Sequence, residues 1–212
     1  MKNKNLLIYQ IACLLLIIFV IVLLLRPQIK KDEENMNSIS VKEAALSVIQ
    51  NRKSVRDFIT EKPVSQDDIR TIIQAGMAAP SGRDARPWQI VVVDDRTILD
   101  NMASGLPYAK MLAEAPLAIV VCGDTTQSSY WYVDCSAVTE NILLAVEALG
   151  LGAVWTAAYP YEERMDVVSR NIGLPAHIKA LCVIPLGYPS KDYKPKDKYD
   201  ESKIHYNKWQ SR

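Results

Sequence analysis

Apolar positions in this chain fall into one long unbroken run at the start and short periodic or β-branched runs afterwards. From Leu6 to Leu25 the sequence reads LLIYQIACLLLIIFVIVLLL, without a charge. A helix of that length measures roughly 30 Å, the thickness of a bilayer's hydrocarbon core. Lys2 and Lys4 precede the run, Arg26-Pro27 closes it, and no small-x-small cleavage site lies before Arg26. The pattern predicts an uncleaved N-terminal transmembrane helix in residues 1–25, contacting the lipid bilayer through residues 6–25. A cleaved or lipidated segment, suggested faintly by Cys13 after Ile11-Ala12, is the alternative. Basic residues flank both sides almost equally, so the charge rule leaves the orientation of the span open. Residues 26–39 are polar and charged without an apolar period and read as a tether.

From residue 40 to 212 the pattern is that of one folded domain. Ala44, Ala45, Val48 and Ile49 recur on one face of a helix ending near Asn51. Ser65 is placed to cap a second helix opened by Gln66-Asp67-Asp68. The third and longest helix lies between Tyr130 and Leu149, with Gly150 as its terminator. It carries a face of Ala137, Asn141, Leu144, Ala145 and Ala148 that allows close helix approach. Gln89–Val93, Ala118–Cys122, Ala153–Ala157 and Ala180–Leu186 are short apolar runs of the kind that form buried strands. Helices covering a largely buried sheet make an α+β, three-layer α/β/α arrangement.

Charge narrows the partners. Of 25 basic and 24 acidic residues, five and three precede residue 40, so the domain carries a net charge of −1 and no footprint for nucleic acid. The four cysteines show no C-x-x-C pair, and no metal-binding spacing is present. Neither His177 nor His205 lies in an H-E-x-x-H or G-x-S-x-G context, and no glycine-rich phosphate loop occurs. With no side chain standing out as a catalytic acid, base or nucleophile, an enzyme built on this chain needs a cofactor for its chemistry.

Three segments carry chemical information. Asn51-Arg52-Lys53-Ser54-Val55-Arg56 sets three cations and a hydroxyl directly after a helix. Guanidinium forks and a hydroxyl suit phosphate oxygens, although spacing alone favours a solvated helix end whose cations suit the C-terminal dipole. Lys194-Pro195-Lys196-Asp197-Lys198 has the same character near the C-terminus. Between the second helix and the first strand, Ala79-Pro80-Ser81-Gly82-Arg83-Asp84-Ala85-Arg86-Pro87-Trp88 forms a stiff loop of the sort that contacts ligands.

In this order, and followed by Glu114-Ala115-Pro116, Leu149-Gly150-Leu151-Gly152, Ile172-Gly173-Leu174-Pro175, Gly187-Tyr188-Pro189 and Ile204–Trp209, these segments resemble the FMN-dependent nitroreductase family. The resemblance covers residue 40 to the C-terminus. It implies a homodimer with FMN at the subunit interface, NAD(P)H as electron donor and a small-molecule electron acceptor. Arg52, Lys53, Ser54 and Arg56 match the positions that hold the phosphate and ribityl chain, Arg56 also reaching the pyrimidine edge. Lys198, with Lys196 as second choice, matches a further phosphate cation. Pro80, Ser81 and Gly82 match a segment donated by the other subunit beside the ring. The backbone of Trp155, Thr156 and Ala157 matches the segment whose N–H groups approach N5 and O4. Asp84 and Arg86 stand where the family usually has Asn and Gln. An ionised Asp84 at the ring would disfavour the electron-rich reduced flavin; alternatively it pairs with Arg83, Arg86 or a partner-chain cation.

The implied activity is NAD(P)H-dependent reduction of nitroaromatic, quinone or related electron-poor substrates by ping-pong flavin chemistry. Two alternatives are a reductive dehalogenase-like flavoenzyme, for which residues 97–115 are short as a substrate lid, and a membrane-tethered flavin carrier without turnover. Because NAD(P)H is intracellular, the resemblance further implies a flavin domain on the cytoplasmic side of the membrane.

Overall fold

The computed structural model describes residues 16, 17, 19–21 and 41–209. The chain divides into two units, residues 1–47 and 48–212. In the first, positions 16, 17 and 19–21 are helical. Among the described residues no helix is long and apolar enough to cross a membrane. This corrects the membrane localisation expected from the apolar run at 6–25, most of which lies outside the described residues. A span needs an unbroken helix of about 20 residues as well as apolar side chains, and sequence composition supplies only the second condition.

Residues 41–51 form α1. Helix α2 spans Gln66–Met77, and the Ser65 hydroxyl accepts the Asp68 N–H at its start as expected. Strand β1 (Trp88–Val93) leads into α3 (Arg96–Gly105), capped by Asp95, and then into β2 (Leu117–Asp124). Helix α4 spans Trp131–Ala148. It ends at Gly150, whose φ of 70° lets its N–H reach Glu147 O and the Leu151 N–H reach Val146 O, both at 3.0 Å. β3 (Gly152–Ala153), β4 (Thr156–Ala157), α5 (Glu162–Ile172) and β5 (Ile178–Gly187) complete the frame. Helices α3 and α5 go beyond those expected.

The strands run antiparallel in the order β1-β2-β5-β3, with β4 also on β5. Alternation along β2 sends Leu117, Ile119 and Val121 to one face and Ala118, Val120 and Cys122 to the other. The first set packs with α2 and α4, the second with α3 and α5, so the sheet is sandwiched as the three-layer expectation required. Leu181 is an extra residue in β5 opposite the Val121/Cys122 step. This bulge resets the alternation, allowing Ala180 and Val183 to share one face while Cys182 and Ile184 take the other. Where α2 crosses α4, a Cβ at Gly76 would fall 2.8 Å from Ile142, and Asn141 donates to Ala75 O at 3.1 Å. Within the small-residue face of α4, Asn141 bonds to this helix neighbour, and Ala137 and Ala145 pack against the same core.

One expected strand is corrected. Residues 153–157 do not form a continuous strand: Val154 and Trp155 lie outside the ladder between β3 and β4. Continuing the register of β3 sets Val154 opposite Pro185, which brings no N–H to a ladder.

Candidate functional site

The cationic run and the interrupted strand lie almost a hundred residues apart in sequence, and backbone pairing brings them together. Ser54 bridges Ala153 in parallel, and the Val55 N–H donates to Ala153 O at 2.9 Å. The approach depends on Gly152, where a Cβ would stand 2.7 Å from Val55 Cγ1. Arg56 then lines a cavity of about 440 Å³ together with Val154, Trp155, Thr156 and Ala157. Thr156 is held in place by its hydroxyl, which donates to Val183 O at 2.6 Å.

Behind Arg56 the segment is pinned from the C-terminal side. The Arg56 N–H donates to Tyr193 Oη at 3.1 Å, the Tyr193 hydroxyl donates to the Asp57 carboxylate, and Lys191 pairs with Asp57 at 2.8 Å. The lysine first, and then the tyrosine, holds the Asp57 carboxyl below the usual carboxylate range. None of these three residues was singled out by sequence, because the nearest stands 134 positions from Asp57 and only the fold joins them.

The other expected phosphate groups are placed as follows. Arg52 Nε lies 3.2 Å from Glu140, and Lys53 Nζ donates to Glu147 at 2.7 Å, both glutamates being on α4. The spacing of seven between Glu140 and Glu147 puts them on one helix face opposite two adjacent cations, a signal present in sequence once α4 is known to be the neighbour. Lys196 and Lys198 are exposed and line a separate cavity of about 620 Å³ with Gln50 and Asn51, directly before Arg52.

Pro80, Ser81, Gly82 and Asp84 line neither of these two cavities. Their loop is anchored at the start of α4, where the buried Asp134 accepts the Gly82 N–H at 2.9 Å and the Ser128 hydroxyl at 3.1 Å. Arg83, Asp84 and Arg86 all adopt positive φ, between 48° and 55°. Non-glycine residues rarely adopt that conformation, and three of them in one loop mark a backbone fixed by its surroundings. Asp84 takes both its oxygens to Arg86, at 2.7 Å from Nε and 2.6 Å from Nη2. The guanidinium lowers the Asp84 pKa, and the carboxylate raises that of Arg86. Of the pairings open for Asp84, the structure shows the one with Arg86.

The three described cysteines are free, buried core thiols: desolvation pushes Cys122, Cys135 and Cys182 up to about 12. Among the described residues no group of acidic, cysteine or histidine side chains could hold a metal ion.

Fold and site define an α+β protein with a cationic, ligand-sized cleft where a sheet edge is interrupted. The nitroreductase family matches residues 49–104 and 100–188, and the chain belongs to it. A protein from Archaeoglobus fulgidus, provisionally named NADH dehydrogenase/NAD(P)H nitroreductase, is 41% identical over 79% of this chain and 99% of its own length. The crystal structure of a protein from Bacteroides thetaiotaomicron with the same provisional name has 60% identity and a TM-score of 0.77, covering 78% of this chain and 98% of that one. An FMN-dependent nitroreductase from Clostridium difficile has 26% identity and a TM-score of 0.73, covering 77% and 99%. Iodotyrosine deiodinase from Thermotoga neapolitana matches more weakly, at 28% identity over 74% of this chain and 94% of its own length. The Bacteroides protein was crystallised as a chain 98% covered by the match, and the matched family region begins at residue 49, beyond the apolar run.

Proposed function

We propose that this protein carries electrons from NAD(P)H to nitroaromatic, quinone or related electron-poor molecules in a ping-pong cycle, with donor and acceptor using one cleft in turn. At the level of class it is an NAD(P)H-dependent flavin oxidoreductase with FMN as its cofactor. The observation that carries the reading is the meeting of Arg56 with Val154–Ala157 in one cavity.

The residues present fit FMN. A strand ladder interrupted at Val154 and Trp155 offers backbone to a ligand instead of to β5, and glycine at 152 keeps the cationic segment tight against it. In this reading Arg52, Lys53 and Ser54 hold the phosphate and ribityl chain, with Lys198 or Lys196 adding charge. Arg56 takes the pyrimidine edge, and the Trp155–Ala157 backbone faces the edge where negative charge develops. Glu140 and Glu147 hold Arg52 and Lys53 extended toward α4, so an incoming phosphate meets cations already ordered. FMN, when held by these residues, would supply a two-electron relay between NAD(P)H and the acceptor.

Pro80, Ser81 and Gly82 complete the site from a second copy of the chain. Support for a homodimer comes from α4, which stays apolar around most of its circumference while Ala137, Leu144 and Ala145 remain only half-buried. The bidentate pairing of Asp84 with Arg86 supports the alternative in which this carboxylate is neutralised by its neighbour and does not contact the ring. Family membership favours turnover over a carrier role, and the identity of the nitroreductase-named relatives favours nitro and quinone acceptors over dehalogenation.

The test is a visible spectrum of the purified protein followed by anaerobic addition of NADH or NADPH. A flavin band that bleaches, and returns when a quinone or nitroaromatic is added, is the expected result. Absence of bound FMN, or a bound flavin that neither nucleotide bleaches, overturns the reading.

A further inference from the structure

The cavity that holds Arg56 contains a second cation that the flavin reading leaves without a task. Arg164, in the first turn of α5, lines it together with Tyr108, Lys110 and Ala157, and no carboxylate lines it. The Arg164 side chain is only 16% exposed. Its guanidinium lies 3.7 Å from the ring centre of Tyr161 and 5.1 Å from that of Tyr108. Its Nε is buried with no hydrogen-bond partner among the described residues. The nearest carboxylate, that of the exposed Glu163, stands 4.0 Å away, beyond hydrogen-bond reach.

Comparison with two other cations isolates what is unusual here. Arg96 also has an unpartnered buried Nε, but its other nitrogens donate to Ala115 O and Leu112 O, and it pairs with Asp100 at 2.9 Å. Lys110 is tied to Ala103 O at 2.9 Å and Ser104 O at 3.0 Å. Arg164 has tyrosine faces above its plane and nothing accepting from its edge. A cation in the first turn of a helix also opposes the helix dipole. The unmet Nε–H is satisfied when an anionic oxygen group sits at the guanidinium edge, where two parallel N–H donors match a carboxylate.

We infer that Arg164 is a specificity-determining residue that binds the carboxylate of an anionic electron-poor acceptor, selecting carboxylate-bearing substrates over neutral ones. The inference rests on the flavin reading for the position of the reacting edge at Trp155–Ala157. The anchoring itself rests on Arg164, Tyr108 and Tyr161. Stacking on two rings fixes the plane of the guanidinium, and an acceptor gripped at its carboxylate is then presented to that edge in one orientation.

The experiment compares 4-nitrobenzoate with its neutral counterpart 4-nitrobenzamide on the full-length protein, as wild type, Arg164→Met and Arg164→Lys. The wild type is expected to favour the carboxylate by about tenfold in kcat/KM, through KM, as one charge-assisted contact of this kind provides. Arg164→Met should bring the ratio close to one, and Arg164→Lys should restore part of it. Rapid mixing with NADH and NADPH alone, without acceptor, assigns the anion. If Arg164→Met weakens nucleotide binding and leaves the benzoate-to-benzamide ratio in place, the donor's phosphates own this arginine and the inference is overturned. Calorimetry of 4-nitrobenzoate against wild type and Arg164→Met separates the two readings. Equal affinities overturn the anion site whether or not FMN is bound, whereas missing FMN overturns only the flavin assignment.

Discussion

Strand β5 has two unlike sides. Toward β2 it is paired over eight positions, every residue of β2 is buried, and helices cover both faces. Toward the other edge it holds only two pairs with β3 and two with β4, separated by Val154 and Trp155. The paired side has a long ladder, broken by one bulge, with side chains packed above and below, which is where cooperative stability resides. The interrupted side holds Arg56, Thr156 and Ala157 around a cleft. One strand is therefore extensively paired on one flank and borders the candidate cleft on the other, and the change coincides with Pro185.

Substitutions on the two flanks should separate stability from binding. The largest effect is expected for Ile119→Ala, a fully buried β2 residue, with a loss of about 3 kcal/mol in urea unfolding. FMN affinity per folded molecule should hardly move; a large fall in affinity would mean that the two flanks are not separable. Next comes Gly152→Ala, which pushes a methyl group against Val55. It should cost about 1–3 kcal/mol and lower FMN occupancy together, as read by flavin absorbance per protein. Thr156→Val removes the hydroxyl bond to Val183 O and should cost about 1 kcal/mol, with a measurable change in the bound flavin's spectrum.

The smallest effect is set by pH. The folded Asp57 carboxyl titrates below its ordinary value because Lys191 and Tyr193 favour the charged form. Its contribution is therefore complete above the unfolded value, about 4, and is lost as pH falls through the folded one. Thermal melts below about pH 4 should show this loss, and Asp57→Asn should flatten that part of the profile. A profile that the substitution leaves intact would show that the Tyr193 segment is held by other contacts, such as Ser190 N–H to Asp57 O at 3.0 Å.

Local patterns carried a good share of the fold. Ser65 before Gln66-Asp67-Asp68 announced a helix start, Gly150 a helix end, and the β-branched runs at 89–93 and 118–122 two strands, since caps and alternation act over a few residues. The same local logic failed at 153–157. Those residues read as one strand, and the proline that stands opposite the first interrupted residue lies 31 positions away, where only pairing brings it near. It fell short also at residues 6–25, where apolar composition implied a membrane span that the described structure does not contain.

For the candidate site, Arg52–Arg56 stood out as a cluster of cations near one another in sequence, whereas Trp155–Ala157 was marked only by the resemblance to the nitroreductase family and otherwise read as buried strand. Their juxtaposition is a tertiary fact, resting on the Val55-to-Ala153 hydrogen bond and the room left by Gly152. Tertiary structure alone decided that Asp84 is matched by Arg86 in a left-handed loop, that Asp57 is pinned by Lys191 and Tyr193, and that Arg164 stands stacked beside Ala157 with its Nε lacking a hydrogen-bond partner among the described residues. Chemical character is a property of each residue and can be read from the chain. Which groups neutralise one another, and which are left with bonding capacity to offer a ligand, is settled only when distant segments share the same few ångströms.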